Sequence, residues 1–137
     1  MSPKTFLELM EPHELSIDDI FSCMLNIRPL EVQTYIEVLR GANTVHKIAE
    51  RINRNKSTAQ RLLNRLMVYG LVARQSISRK ETGYYYIYQA LPPEKVRDLL
   101  METLDKTYKK IYDYLANNWL ILIETQLNEK KDIKLTG

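Results

Sequence analysis

Four residues in one short stretch, Ser57, Gln60, Arg61 and Asn64, carry side chains suited to the edges of nucleic-acid bases. Arginine can read guanine bidentately, and asparagine or glutamine can read adenine. Steps of three, one and three residues put all four on one side of a helix. The other side repeats those steps with Ala59, Leu62, Leu63 and Leu66, an apolar face that has to bury. A helix of this kind reads bases mainly with its N-terminal half. Ser57, Gln60, Arg61 and Asn64 are therefore candidates for bases. Lys56, Thr58 and Arg65 flank them and suit phosphate oxygens, which fix register without reading sequence.

The flanking sequence supplies the elements that must hold this face. The spacing predicts a helix over 56–69, with Asn55 as its N-cap and Gly70 as its stop. Before it, Asn53-Arg54-Asn55 makes a tight turn. A short helix precedes the turn, capped by Thr44, with Lys47 where a glutamate is usual. Val45, Ile48, Ala49 and Ile52 mark its inner side. Lys47, Arg51 and Arg54 fall on the outer side or in the turn and are candidate phosphate clamps. His46 reads as a surface residue.

After Gly70, residues 71–77 read as a strand and 84–90 as its return, joined by a polar segment, 78–83, that ends in the turn Thr82-Gly83. Arg74, Arg79 and Lys80 sit on or near the tip of this wing, which can track a neighbouring backbone or enter a minor groove. Alternation puts Tyr84, Tyr86 and Tyr88 on one face and Tyr85 and Ile87 on the other. The tyrosines can be read as a stacking platform or as half-buried packing. A two-stranded wing favours packing, since stacking platforms come with open sheets.

Charge follows the same boundaries. Residues 40–80 hold ten of the 20 Lys and Arg residues and a single acid, Glu50. The first 39 residues hold two bases and seven acids, and the last 57 hold eight and nine. The net charge of +3 hides a strongly basic centre, the electrostatic footprint of a polyanion partner.

The remaining composition narrows the classes. The 137 residues suit one domain with a helical extension. Cys23 is alone, which excludes an intramolecular disulfide, and reads as a small buried hydrophobe. The longest apolar run, residues 119–123, is far too short to span a membrane. No signal segment opens the chain, so a cytoplasmic protein is expected. With two histidines, one cysteine and four glycines there is no metal-ligand spacing, nucleophile elbow or phosphate loop. The carboxylates read as solvated helix exteriors. Neither an enzyme nor a cofactor is expected.

Upstream, Ser2-Pro3 marks the start of a short helix with Phe6, Leu7, Leu9 and Met10, ending near Pro12. Ser16 and Asp19 have the spacing of a capping box before a second helix, whose stripe is Ile17, Ile20, Phe21, Met24 and Leu25. Pro29 opens a third, with Val32, Tyr35, Ile36 and Leu39 as its buried face and Gly41 as its end. Downstream, Pro92-Pro93 marks a boundary, and a helical pattern runs to about residue 127 before a polar, frayed tail. Met101, Leu104, Tyr108, Ile111, Leu115, Asn118 and Leu122 form a seam of period 3.5, the spacing of a coiled coil. Asn118 takes a position where a buried amide fixes register. Trp119, Leu120, Ile121 and Ile123 widen the seam toward a bundle. It pairs two copies in one reading and folds back within one chain in the other. Two-fold symmetry, which doubles a short binding site, favours the pair.

Residues 27–91 resemble the winged helix-turn-helix of the TrmB-type transcriptional regulators of archaea, kin of the MarR type. The stretches that carry the resemblance are IRPLEVQTYIEVLRG, TVHKIAERINRNKSTAQRLLNRLMVYGLV and YYYIYQALPPEKV. A wing strand that runs through Ala-Leu-Pro-Pro-Glu into a long helix is typical of the group. The resemblance implies a DNA-binding dimer on archaeal promoters, with its recognition helix at 56–69 and its wing at 78–83. It covers repressors and also activators, such as those of the archaellum genes. Larger members carry a C-terminal sugar-sensing domain, for which 137 residues leave no room, so no small-molecule effector is expected.

The expectation is a mainly α fold with a small β-wing: N-terminal helices (1–27), a winged helix-turn-helix (28–91), and a long dimerisation helix with a polar tail (92–137). Its partners would be double-stranded DNA and a second copy, without a membrane. The alternative is a protein-interaction module docking on RNA polymerase or a basal factor, since fold alone does not decide between them. Such a module would tolerate charge reversal at Arg61 and Arg65.

Overall fold

The computed structural model describes residues 6–9, 14–81 and 83–136, with side chains over 8–9, 14–81 and 83–129. The expected starts and stops at Ser2, Pro3, Met10 and Pro12, and the side chains of Phe6, Leu7 and Thr82, lie outside the described residues. The elements are α1 (Phe6–Leu9), α2 (Ile17–Leu25), α3 (Pro29–Leu39), α4 (Val45–Ile52), α5 (Lys56–Val68), β1 (Val72–Arg79), β2 (Gly83–Ala90), α6 (Pro93–Asn117) and α7 (Trp119–Thr136). They divide into two units, residues 1–97 and 98–137. The fold is the expected one, mainly helical with an antiparallel two-stranded wing.

Helix boundaries follow local chemistry. Ser16 and Asp19 form the capping box: the Asp19 N–H donates to Ser16 Oγ (3.0 Å), and the Ser16 N–H donates to Asp19 Oδ2 (3.1 Å). Thr44 Oγ1 accepts from the Lys47 N–H at 3.2 Å, and Asn55 Oδ1 from the Thr58 N–H at 2.8 Å. At the other ends, Gly41 (φ 110°) and Gly70 (φ 76°) take the left-handed conformation that glycine adopts without strain. Ala42 and Leu71, the next residues, donate back to Glu37 and Leu66 at 3.0 Å each.

The core of the first unit gathers around α3, which packs against α2, α4, α5 and β2. Val32, Tyr35 and Val38 of α3 are buried with Ile48, Ala49 and Ile52 of α4 and Ala59, Leu62, Leu63 and Leu66 of α5. The apolar face read for α5 is the buried one, and that read for α4 is buried except at Val45, which is half-buried at the helix start. Each fully buried leucine contributes about 1.5–3 kcal/mol over an exposed one.

Two faces differ from expectation. On α2 only Phe21 is buried, while Ile17 and Ile20 are exposed. This helix packs chiefly against one neighbour, α3, so a narrow line of contact suffices. On α3, Leu39 is exposed and Ile36 half-buried, whereas Glu31, Thr34 and Glu37 are buried. A central helix buries more than one side, and here that includes two carboxylates, contrary to the reading of all carboxylates as solvated exteriors. Cys23 is half-buried rather than buried.

The wing is longer than its side chains implied. Its ladder runs from Val72↔Ala90 to Arg79↔Gly83, past the expected strand ends at residues 77 and 84. Ser78, Arg79 and Gly83 pair through backbone groups, which need no apolar side chain. The root of the wing is tied at two points. The Tyr88 N–H donates to Asn43 O (2.8 Å), and the Leu91 N–H donates to Leu71 O (2.8 Å).

In the second unit the single expected helix is two, with Asn118 between α6 and α7. The i to i−4 bonding persists across it: Asn118 N–H to Tyr114 O and Leu122 N–H to Asn118 O, both 2.9 Å. The polar tail, read as frayed, is helical to Thr136. Among the described residues no helix is long and apolar enough to cross a membrane, and no cluster of ligating side chains could hold a metal ion.

Candidate nucleic-acid interface

Asn53 makes the turn between α4 and α5 possible. It holds φ 56°, ψ 51°, a left-handed conformation that asparagine tolerates better than other non-glycine residues. The chain then reverses within Asn53, Arg54 and Asn55, and Asn55 caps α5. Arg54 reinforces the turn, its Nη1 donating to Asn53 O (3.0 Å) and Ile52 O (3.4 Å).

With Ala59, Leu62, Leu63 and Leu66 buried, the opposite side of α5 faces out. Ser57, Arg61 and Asn64 are exposed and Gln60 is half-buried. Lys56 and Arg65 are exposed and Thr58 half-buried. The first turn of α5 holds no acid. Lys47, Arg51 and Arg54 are exposed on α4 and the turn, as are Arg74, Arg79 and Lys80 on the wing. His46 is exposed, its Nε2 3.0 Å from Glu50 Oε1.

Several of these cations already have partners. Arg65 Nε lies 3.0 Å from Glu31 Oε1, and Arg51 Nη1 lies 3.1 Å from Glu37 Oε2. Arg40 Nη1 reaches the other oxygen of Glu37 at 2.8 Å. The carboxylates are buried and the arginine side chains 44% to 65% exposed, so each arginine keeps N–H groups at the surface. These pairs tie α4 and α5 to α3. By contrast, among the described residues Lys56, Arg61 and Lys80 make no ion pair.

On the wing, arginine stacks on tyrosine on both faces. The Arg74 guanidinium lies 4.2 Å from the Tyr86 ring centre and the Arg79 guanidinium 4.2 Å from that of Tyr85. Tyr84 meets Tyr86 edge-on at 5.7 Å. Such cation–π contacts hold long side chains outward at about 0.5–1 kcal/mol each. Tyr88, on the same face at the root, is 2% exposed, and its hydroxyl accepts from Gln60 Nε2 at 3.1 Å.

Sequence reading missed the buried partners Glu31 and Glu37; it read Tyr88 as packing, which its burial bears out, but missed its bond to Gln60. Glu31 did carry a signal: it sits three and four residues before Thr34 and Tyr35, on the side of α3 that buries. Tyr88 gave none beyond alternation, because its partner lies 28 residues away.

Residues 21–94 match the family model described as sugar-specific transcriptional regulator TrmB. Two uncharacterised proteins of Methanocaldococcus jannaschii are similar. MJ1503 is 37% identical over 92 residues, 66% of this chain and 70% of its own. MJ1082 is 37% identical over 104 residues, 75% of this chain and 86% of its own. A solved structure, a possible transcriptional regulator from Methanosarcina mazei Go1, superposes with a TM-score of 0.65 at 17% identity, covering 77% of this chain and 91% of that one. That likeness concerns the fold. The buried helix pair, the wing and the match over residues 21–94 together make this chain a winged-helix transcriptional regulator of the TrmB family.

Proposed function

We propose that the chain is a sequence-specific, double-stranded DNA-binding regulator that acts as a homodimer. The single observation that carries the reading is the outward face of α5. It presents Ser57, Gln60, Arg61 and Asn64 with no acid in the first turn, on a helix held rigidly from behind. In this reading α5 enters the major groove and those four residues read bases. Lys47, Arg51, Arg54, Lys56, Thr58 and Arg65 neutralise phosphates, and Arg74, Arg79 and Lys80 of the wing follow the adjacent backbone or minor groove. Residues 28–91 are then the DNA-binding part and 92–137 the dimerisation part, and the cytoplasm is the site of action.

The seam of the second unit supports the pairing. Met101, Leu104, Tyr108, Ile111, Leu115 and Leu122 are between 44% and 68% exposed in the isolated chain. Trp119, Leu120, Ile121 and Ile123 are exposed too. So long an apolar surface marks an interface rather than a solvated face.

The test is fluorescence anisotropy of the protein with a labelled promoter duplex and a scrambled duplex, across a salt series. With ~8 phosphates neutralised, the slope of log affinity against log salt is about −7. Promoter binding ~1,000-fold tighter than scramble supports the proposal. No binding to either duplex at low salt would remove it and leave the interaction module as the better reading.

A further inference from the structure

One hydrogen-bonded chain runs from the root of the wing to the outward face of α5. Gln60 Nε2 donates to Tyr88 Oη at 3.1 Å and to Asn64 Oδ1 at 2.9 Å. The Tyr88 hydroxyl also sits 3.5 Å from Gln60 Oε1. Tyr88 cannot adjust. Its side chain is buried, its N–H is bonded to Asn43 O at 2.8 Å, and its strand position faces Arg74 in the ladder. The hydroxyl is therefore a fixed point in β2 that holds Gln60 of α5 directly and Asn64 through it.

This arrangement constrains what the two amides can offer a partner. A primary amide has two N–H donors and one acceptor oxygen. Gln60 spends both donors inside the protein, one on Tyr88 and one on Asn64. Its Oε1 accepts the long 3.5 Å bond from the Tyr88 hydroxyl and keeps a second lone pair for an outside donor. Asn64, its Oδ1 already engaged, keeps both N–H donors. The couple thus presents one acceptor and one donor from adjacent turns. Adenine shows the complementary pattern in the major groove, a donor at N6 beside an acceptor at N7. Gln60 alone, with no donor left, cannot make that bidentate contact.

We propose that Tyr88 is a specificity-determining positioning residue. Its hydroxyl locks Gln60 and Asn64 into a single composite reader, directed at an A·T step. The proposal rests on the DNA-binding reading above and adds a residue that does not itself touch DNA. The network is anchored at its buried end by Tyr88, and a satisfied network fixes one geometry.

The experiment is selection from a pool of duplexes randomised over about 20 base pairs, enough for two half-sites one helical turn apart. The parent, Tyr88→Phe and Gln60→Met are compared, each with its thermal midpoint. The parent is expected to prefer adenine at one step per half-site by about 5- to 150-fold, the range of one good base contact. Tyr88→Phe keeps the buried ring. It should flatten that step to within ~3-fold while leaving the other steps and the salt slope unchanged. Gln60→Met, on a half-exposed helix position, should flatten the same step. Adding Tyr88→Phe to Gln60→Met should then change nothing further.

A Tyr88→Phe profile identical to the parent's overturns the proposal. So does uniform erosion at every step, which is the mark of a packing role. If Tyr88→Phe unfolds, Gln60→Met decides: loss at a different step, or at none, overturns the relay. A parent that enriches no sequence defeats the DNA reading itself, a result distinct from a parent with a clear site that both variants share.

Discussion

Arg65 of α5 reaches back to a buried carboxylate: its Nε lies 3.0 Å from Glu31 Oε1, and the Glu31 side chain is only 3% exposed. The other oxygen, Oε2, is buried and has no hydrogen-bond partner in the described structure. Glu31 therefore depends on one guanidinium. Arg65→Ala should leave a buried, unpaired charge and destabilise the fold by about 3 kcal/mol, the lower end for breaking a buried pair because Arg65 itself is exposed. Urea unfolding measures this. Adding Glu31→Gln should recover part of the loss. An unchanged midpoint in Arg65→Ala would show that the pair contributes nothing.

Arg61 gives the opposite pattern. It is exposed and makes no ion pair among the described residues. Arg61→Ala should shift stability by less than ~0.5 kcal/mol. It should weaken binding to the preferred duplex by ~1–3 kcal/mol and relax selectivity at one base step. Equal binding of parent and variant to preferred and random duplexes would remove Arg61 from the reading face.

Tyr35 makes stability depend on alkaline pH. Its hydroxyl donates to Leu91 O at 2.5 Å. Burial, and secondarily the nearby Glu94 carboxylate, push its phenol above the ordinary value of 10.0. A raised phenol pKa favours the protonated form in the folded state. The stabilisation is thus complete below the unfolded value and is lost as pH rises through the folded one. Tyr35→Phe should cost ~1 kcal/mol at neutral pH by losing the hydrogen bond. It should also flatten the decline in unfolding free energy that sets in as pH rises above the unfolded value of about 10. Parallel declines in parent and variant would assign the alkaline loss to other groups.

The turn can be probed at Asn53. Its left-handed φ of 56° suits asparagine or glycine. Asn53→Gly should be close to neutral, and Asn53→Val should cost about 1–2 kcal/mol in thermal or urea unfolding. A neutral valine would mean that the turn relaxes to another conformation.

The proposed seam is tested by mass in solution. Each chain is 16.2 kDa, so sedimentation equilibrium should give twice that for the parent. Leu104→Asp with Leu115→Asp should give the single-chain mass while leaving the first unit folded. A parent that sediments as a single chain would end the homodimer reading.

The helix pair was legible because its determinants are local. Thr44, Asn55 and Gly70 act within three or four residues of themselves, and the steps of Ala59, Leu62, Leu63 and Leu66 decide a face without reference to anything distant. The candidate surface was legible only as an inventory of residue types. What ties Arg65 to Glu31, or Gln60 to Tyr88, is tertiary, with partners 34 and 28 positions apart in the chain. No periodicity encodes such a pair. The ends of the wing were misread for a related reason: Ser78, Arg79 and Gly83 look like turn residues, but the ladder recruits backbone, not side chains. Leu39 and Ile17 show the converse, since a helix on the margin of a core leaves apolar residues outside it.

The wing's ladder, from Val72↔Ala90 to Arg79↔Gly83, also works as a ruler. Adding one residue to each strand would swap its faces and move the stacked arginines to the wrong side. Adding two to each strand would keep every face and carry Arg79 and Lys80 outward by about 7 Å, two antiparallel rises. Relatives and engineered versions should therefore change wing length in even steps per strand, and each step would lengthen the stretch of partner that the tip can reach without rebuilding its root.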